Sequence, residues 1–277
     1  MQLKVRTLGI APVPEMLKLR HGIEPRLTST ALKPKPVARV DGGKVVPDVL
    51  TDVLGAEDDL LSLECVSLRT FSRTWEAELE LDLDALSQAQ PQAEAPPEAG
   101  TGAEARSGAK IGLLIAHNAC LTRGAALVYD LSTSTLVVHR AHTRSSRAGG
   151  INVDAVDGGV LRLLHLPPSS PPSSTISASA SDDDDKVKTS KTSKLEPLHL
   201  RVFLDNSVLE VYANGRWACS SRIYPDDDDG GDGGGDVGGA ATGLSVFALC
   251  GGRGGGDGEA AVPIKASVWE RLPAAFA

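Results

Sequence analysis

Leu198-His199-Leu200-Arg201-Val202-Phe203-Leu204, then Val208-Leu209-Glu210-Val211-Tyr212 running into Asn214-Gly215 and on to Arg216-Trp217-Ala218-Cys219, is the part of the chain that decides its architecture. Leu198, Leu200, Val202 and Leu204 alternate with His199, Arg201 and Phe203, and a period of two places successive side chains on opposite faces of a strand. Asn214-Gly215 tolerates positive φ, so the chain turns there and returns as a hairpin.

The same period recurs in both directions from this stretch. Trp75, Ala77, Leu79, Leu81 and Leu83 alternate with Glu76, Glu78, Glu80 and Asp82, and Val262, Ile264, Ala266 and Val268 repeat the pattern near the end. A second hairpin is expected where Ala126-Leu127-Val128-Tyr129 passes through Asp130 to Thr135 and returns as Leu136-Val137-Val138-His139. The one helical turn expected is Pro14-Glu15-Met16-Leu17-Lys18-Leu19-Arg20, where Pro and Glu precede basic residues in the order the helix dipole favours. Many short strands without βαβ alternation predict an all-β fold: a two-sheet antiparallel β-sandwich, concanavalin-like or jelly-roll-like. Three segments are too polar and too simple to pack and are expected as long disordered hairpin insertions, at about 87–108, 167–194 and 226–242. Loop-closure entropy rises slowly with length, so one domain carries them at little cost.

The chain has 277 residues, a formal net charge of −8 and a pI near 5.3. Its long charge runs are acidic, which excludes a phosphate-binding surface and nucleic acid as a partner. Cys65, Cys120, Cys219 and Cys250 have no metal spacing; one or two disulfides and four buried thiols are both compatible with them. No continuous apolar stretch reads as a targeting signal or a membrane span, and no N-x-Ser/Thr sequon occurs.

Glycoside hydrolysis needs two carboxyls facing one cleft. Glu76, Glu78, Glu80 and Asp82 are expected on a solvated sheet face, and the Asp tracts read as solvated insertions without calcium spacing. Glu210, among apolar neighbours, needs a partner if it is buried, and Arg201, Arg216 and Arg222 are candidates for a structural ion pair. His117, His139, His142, His165 and His199 adjoin no Ser-elbow or Cys/His motif, and Gly251-Gly252-Arg253-Gly254-Gly255-Gly256 lacks a P-loop ending. No catalytic, cofactor-binding or metal residue is assigned, and no cofactor is expected.

The segment from Leu200 to Gly215, continuing through Ser220-Ser221-Arg222-Ile223-Tyr224-Pro225, closely resembles a signature of glycoside hydrolase family 32, the invertases, inulinases, levanases and fructosyltransferases. The matching positions are Asp205, Ser207, Glu210, Val211, Asn214, Gly215, Arg222, Tyr224 and Pro225. Pro12 to Arg20 looks like the segment that leaves a catalytic domain, Ile111 to Ile115 like an early sandwich strand, and Val268-Trp269 like the closing strand. The resemblance implies a linker at 1–36, a sandwich at 37–277, and a five-bladed propeller as the partner that carries the chemistry. The chain contains neither a W-x-N-D-P-N-G nor an R-D-P segment, and Glu64-Cys65, which spells the family's third motif, follows the linker, so no catalytic role passes to it. The chain is therefore expected to be inactive alone, a module flanking a propeller in sucrose or fructan metabolism. By resemblance the parent is extracellular or vacuolar, with dimerisation and fructan or sucrose at an interface as further implications. A lectin-like carbohydrate-binding module is the alternative; Trp75, Trp217 and Trp269 sit in strands where burial is expected, which weighs against it.

Overall fold

The computed structural model describes residues 9–33, 35–38, 53, 60–89, 109–119, 121, 123–140, 143, 156–166, 194–224, 241–251 and 261–270. The strands are β1 (Arg26–Leu32), β2 (Lys35–Ala38), β3 (Leu60–Ser67), β4 (Thr74–Leu81), β5 (Lys110–His117), β6 (Ala125–Asp130), β7 (Thr135–His139), β8 (Asp157–Val160), β9 (His165–Leu166), β10 (Lys194–Leu195), β11 (Leu198–Asp205), β12 (Val208–Ala213), β13 (Trp217–Arg222), β14 (Gly243–Gly251) and β15 (Val262–Glu270). A 3-10 helix, Pro14–Arg20, precedes them, and a short α-helix, α1 (Asp84–Ala89), follows β4.

Two antiparallel sheets face each other. One has six strands in the order β1-β15-β4-β11-β12-β13, the other seven in the order β2-β3-β14-β5-β6-β7-β8, and β9 and β10 form a separate ribbon. The alternating rows read from the sequence are the inner face of the six-stranded sheet: Trp75, Ala77, Leu79 and Leu81 of β4, Leu198, Leu200, Val202 and Leu204 of β11, and Val262, Ile264, Ala266 and Val268 of β15 are all buried in one core. Ile111, Leu113 and Ile115 of β5, Leu127 and Tyr129 of β6, and Leu244, Val246 and Ala248 of β14 meet them from the opposite sheet. Both expected hairpins form, with Leu127 opposite Val138 and Val211 opposite Cys219. At the second, Asn214 and Gly215 have φ of 47° and 63°, the mirror-image turn that matches the strand twist.

The seven-stranded sheet is buried on its outer face as well. Leu114, Ala126, Val128, Phe247 and Leu249 form a second apolar cluster with Val53, and Lys110 Nζ donates to the Val53 carbonyl at 2.6 Å. This is why β5 and β14 read as continuous apolar runs: a strand covered on both sides has no polar row.

Two boundaries, and the strands that two of the insertions connect, differ from the sequence reading. Arg26 to Leu32, placed in the linker 1–36, form β1 and pair along their length with β15, so sheet pairing starts before residue 37. Ser87, expected to open an insertion, lies in α1, whose Leu86 is buried in the core. The insertion at 167–194 joins the paired strands β9 and β10, as a hairpin does, whereas those at 87–108 and 226–242 join strands of different sheets. Most residues of the three insertions lie outside the described residues.

Candidate functional site

The outer face of the six-stranded sheet departs most from expectation. Glu76, assigned to a solvated row, is wholly buried. The cause is the 3-10 helix, which lies across this face and sets Arg20 over it. Arg20 Nε donates to Glu76 Oε2 at 2.8 Å, and its Nη2 donates to Glu76 Oε1 and to Glu78 Oε1. From the neighbouring strand, Arg201 Nε donates to Glu76 Oε1 at 2.6 Å. The Arg20 guanidinium also stacks on Trp269, 3.7 Å from the ring centroid. Burial alone would lower the Arg20 pKa, but the hydrogen bonds and charges of Glu76 and Glu78 outweigh it and raise it. With its lone pairs committed to guanidinium donors, Glu76 ties down a strap. Further along the row, Glu80 pairs with Lys265 at 2.8 Å, which holds its carboxyl below the ordinary range, and Asp82 pairs with Lys194 at 2.9 Å.

The strap is fixed at a second point, where Ile10 N–H donates to the Gly215 carbonyl at 2.8 Å. It thus runs from the β12–β13 turn to the β1 edge, while Val13 and Leu17 point outward at 60% and 50% exposure.

Glu210 is half-buried on the same face and accepts from the Tyr212 hydroxyl at 3.4 Å. Two of its expected partners are engaged elsewhere, Arg201 with Glu76 and Arg216 with Glu196; Arg222 enters through its carbonyl, which accepts from Arg140 Nη1 at 3.2 Å. Asn214, another signature position, serves the β12–β13 hairpin. Asn214 Oδ1 accepts from His199 N–H at 3.0 Å and Asn214 Nδ2 donates to the Pro197 carbonyl at 3.0 Å, which binds the turn to the start of β11. Asp205 is exposed at the end of β11, paired with Thr74, and among the described contacts its carboxylate accepts from Asn206 Nδ2 at 3.3 Å. Glu64, in β3, accepts from Lys33 N–H.

His117 is half-buried at the end of β5. Its Nδ1 donates to the Asn118 carbonyl at 2.8 Å, which fixes Nε2 as the acceptor of the Ser245 hydroxyl, also at 2.8 Å. Burial lowers its pKa, and Ser245 is itself buried, so this pair stitches β5 to β14. Cys65 and Cys219 are free thiols; burial, with Glu64 nearby, pushes Cys65 up to about 11. His142 and Cys120, and the side chain of Cys250, lie outside what is described. Among the described residues no group of His, Cys, Asp and Glu is arranged to hold a metal, and no helix is long and apolar enough to cross a membrane.

A shallow groove of about 350 Å³ opens where β1 leaves the strap. Ile23, Pro25, Phe71 and Val268 form its apolar side; Glu24, Arg26 and Glu270 its polar side. Sequence reasoning weighed only the tryptophans and missed Phe71, which is 73% exposed. Of the tryptophans, Trp75 and Trp269 are buried and Trp217 is half-buried.

The family model for the C-terminal part of glycosyl hydrolases family 32 matches residues 55–248. Among solved structures, a β-fructofuranosidase of Aspergillus kawachii complexed with glycerol is similar with a TM-score of 0.52 and 19% identity over 95% of this chain and 30% of that one. The wild-type fructosyltransferase from A. japonicus is similar with a TM-score of 0.51 and 20% identity over 95% of this chain and 29% of that one. At such identity the likeness concerns the fold, and the chain spans about 30% of the length of these structures. No curated protein sequence matches significantly.

Proposed function

Because the chain belongs to the C-terminal family of glycosyl hydrolases family 32, we propose that it is the non-catalytic sandwich module of a β-fructofuranosidase-like enzyme of sucrose or fructan metabolism, extracellular or vacuolar, packed against a five-bladed propeller. The observation that carries this reading is the strap. Residues 10–20 are latched over the six-stranded sheet by Arg20 and Glu76, and they keep Val13 and Leu17 turned outward, the form of a covalent joint that fixes how a preceding domain meets the sandwich. The buried carboxylate on this face has its oxygens bound to arginines, which supports a structural use over proton transfer to a glycosidic oxygen. In the isolated chain the two exposed apolar residues should promote self-association, which sedimentation reads directly.

Activity of the purified chain on sucrose, inulin and levan tests the reading. No release of fructose is expected; release abolished by Glu64→Gln would overturn it. An upstream reading frame that encodes the W-x-N-D-P-N-G and R-D-P segments would establish the parent. A carbohydrate-binding role beside this one draws support from the groove at Phe71.

A further inference from the structure

We propose that the groove between the start of β1 and the end of β15 binds a neutral saccharide, a placement that rests on the family reading for its ligand class and on the groove for everything else. Small-ligand sites combine an apolar wall with a few polar groups held in fixed directions. The Phe71 ring supplies the wall. Its exposed surface is open to solvent, with the Arg26 guanidinium 5.7 Å from the ring centroid. An aromatic face of this kind receives the C–H face of a sugar ring, burying apolar area without any demand on the hydroxyls.

The polar side is oriented before any ligand arrives. The Glu270 carboxylate accepts from Ser72 N–H at 2.9 Å, from Phe71 N–H, and from Arg26 Nη2 at 2.9 Å. An ionised carboxylate has about four acceptor sites, so one remains for a ligand hydroxyl. Arg26 also donates through Nη1 to the carbonyls of Leu68, at 3.2 Å, and Arg69, and a guanidinium with five N–H donors keeps capacity beyond these bonds. A fixed acceptor beside a fixed donor is the complement of a vicinal diol, in which one hydroxyl donates and its neighbour accepts. Arg26 and Glu270 cancel in charge and Glu24 leaves the rim negative, so an anionic sugar phosphate is disfavoured.

Calorimetric titration of the full chain with sucrose, short inulin oligosaccharides and maltose, with sucrose phosphate as the anionic control, tests this. Binding of at least one neutral saccharide is expected, weakened at least tenfold by Phe71→Ala, retained by Phe71→Tyr and absent for sucrose phosphate. Because Phe71 is exposed, its replacement leaves the fold intact, and an unchanged melting temperature confirms that the loss is local. No binding of any neutral saccharide, equal binding by Phe71→Ala, or equal binding of sucrose phosphate would each overturn the proposal. None of these outcomes touches the module reading, which is decided by the hydrolysis assay and the upstream frame.

Discussion

Replacing Arg20 by Ala removes the strap's anchor and exposes what it contributes. Three guanidinium hydrogen bonds disappear, two to a wholly buried carboxylate and one to Glu78, along with the stack on Trp269. Deleting one partner of a buried ion pair costs about 3–5 kcal/mol when the other charge is left uncompensated. Here Arg201 still holds Glu76 at 2.6 Å, so the electrostatic part falls below that range, to about 2 kcal/mol. Loss of a desolvated cation–π contact, at 17% exposure of the Arg20 side chain, adds about 1 kcal/mol. Together these predict about 3 kcal/mol lost in urea unfolding, with faster proteolysis within residues 10–20. Arg20→Lys should recover only part of it, since an ammonium cannot form the planar fork. Adding Glu76→Gln to Arg20→Ala should restore part of the stability, because the buried charge goes with it. A loss under about 1 kcal/mol for Arg20→Ala, or no change in protease sensitivity of the strap, would refute the latch.

Three further outcomes follow from the interior. The native pKa of His117 is lowered by burial, so between the ordinary histidine value and that lower one the unfolded chain binds more protons and stability falls as the pH drops; His117→Gln should flatten melting temperature against pH in this window. Gly112→Ala would put a Cβ 1.8 Å from the Leu127 carbonyl oxygen on the next strand, a backbone atom that cannot step aside, and should cost about 3 kcal/mol or more in chemical unfolding. Cys65, with its thiol near 11, should resist iodoacetamide at pH 8 in the native chain and react on unfolding, as peptide-resolved mass spectrometry would show.

What the sequence reveals is what a strand encodes in its own residues. β4, β11 and β15 are legible because one face is apolar and the other polar, and the β12–β13 turn because Asn214-Gly215 names its own geometry. β14 is not, because burial on both faces erases the alternation, and β8 is not, because Gly158 and Gly159 leave almost no pattern. The family signature includes the pair that turns the β12–β13 hairpin. The burial of Glu76 depends on Arg20, 56 positions away, and the groove joins Phe71 to Glu270 across 199 positions. No local window contains either pair, so the sequence shows the helical turn and the acidic row separately and cannot say that one lies on the other.

β15 is the last of the described strands, yet it lies between β1 and β4, with Ala266 paired to Thr28 on one side and Leu79 on the other. It also carries Trp269, on which Arg20 rests. During synthesis on the ribosome, β1 and β4 therefore wait with an open slot between them, and the strap lacks the ring on which Arg20 stacks until β15 emerges. Pairings this distant in sequence close slowly and leave strand edges open in the meantime. The sandwich is in this respect an arch whose keystone is laid after its flanks, and a nascent chain stopped before Val262 would hold its six-stranded sheet in two unjoined parts.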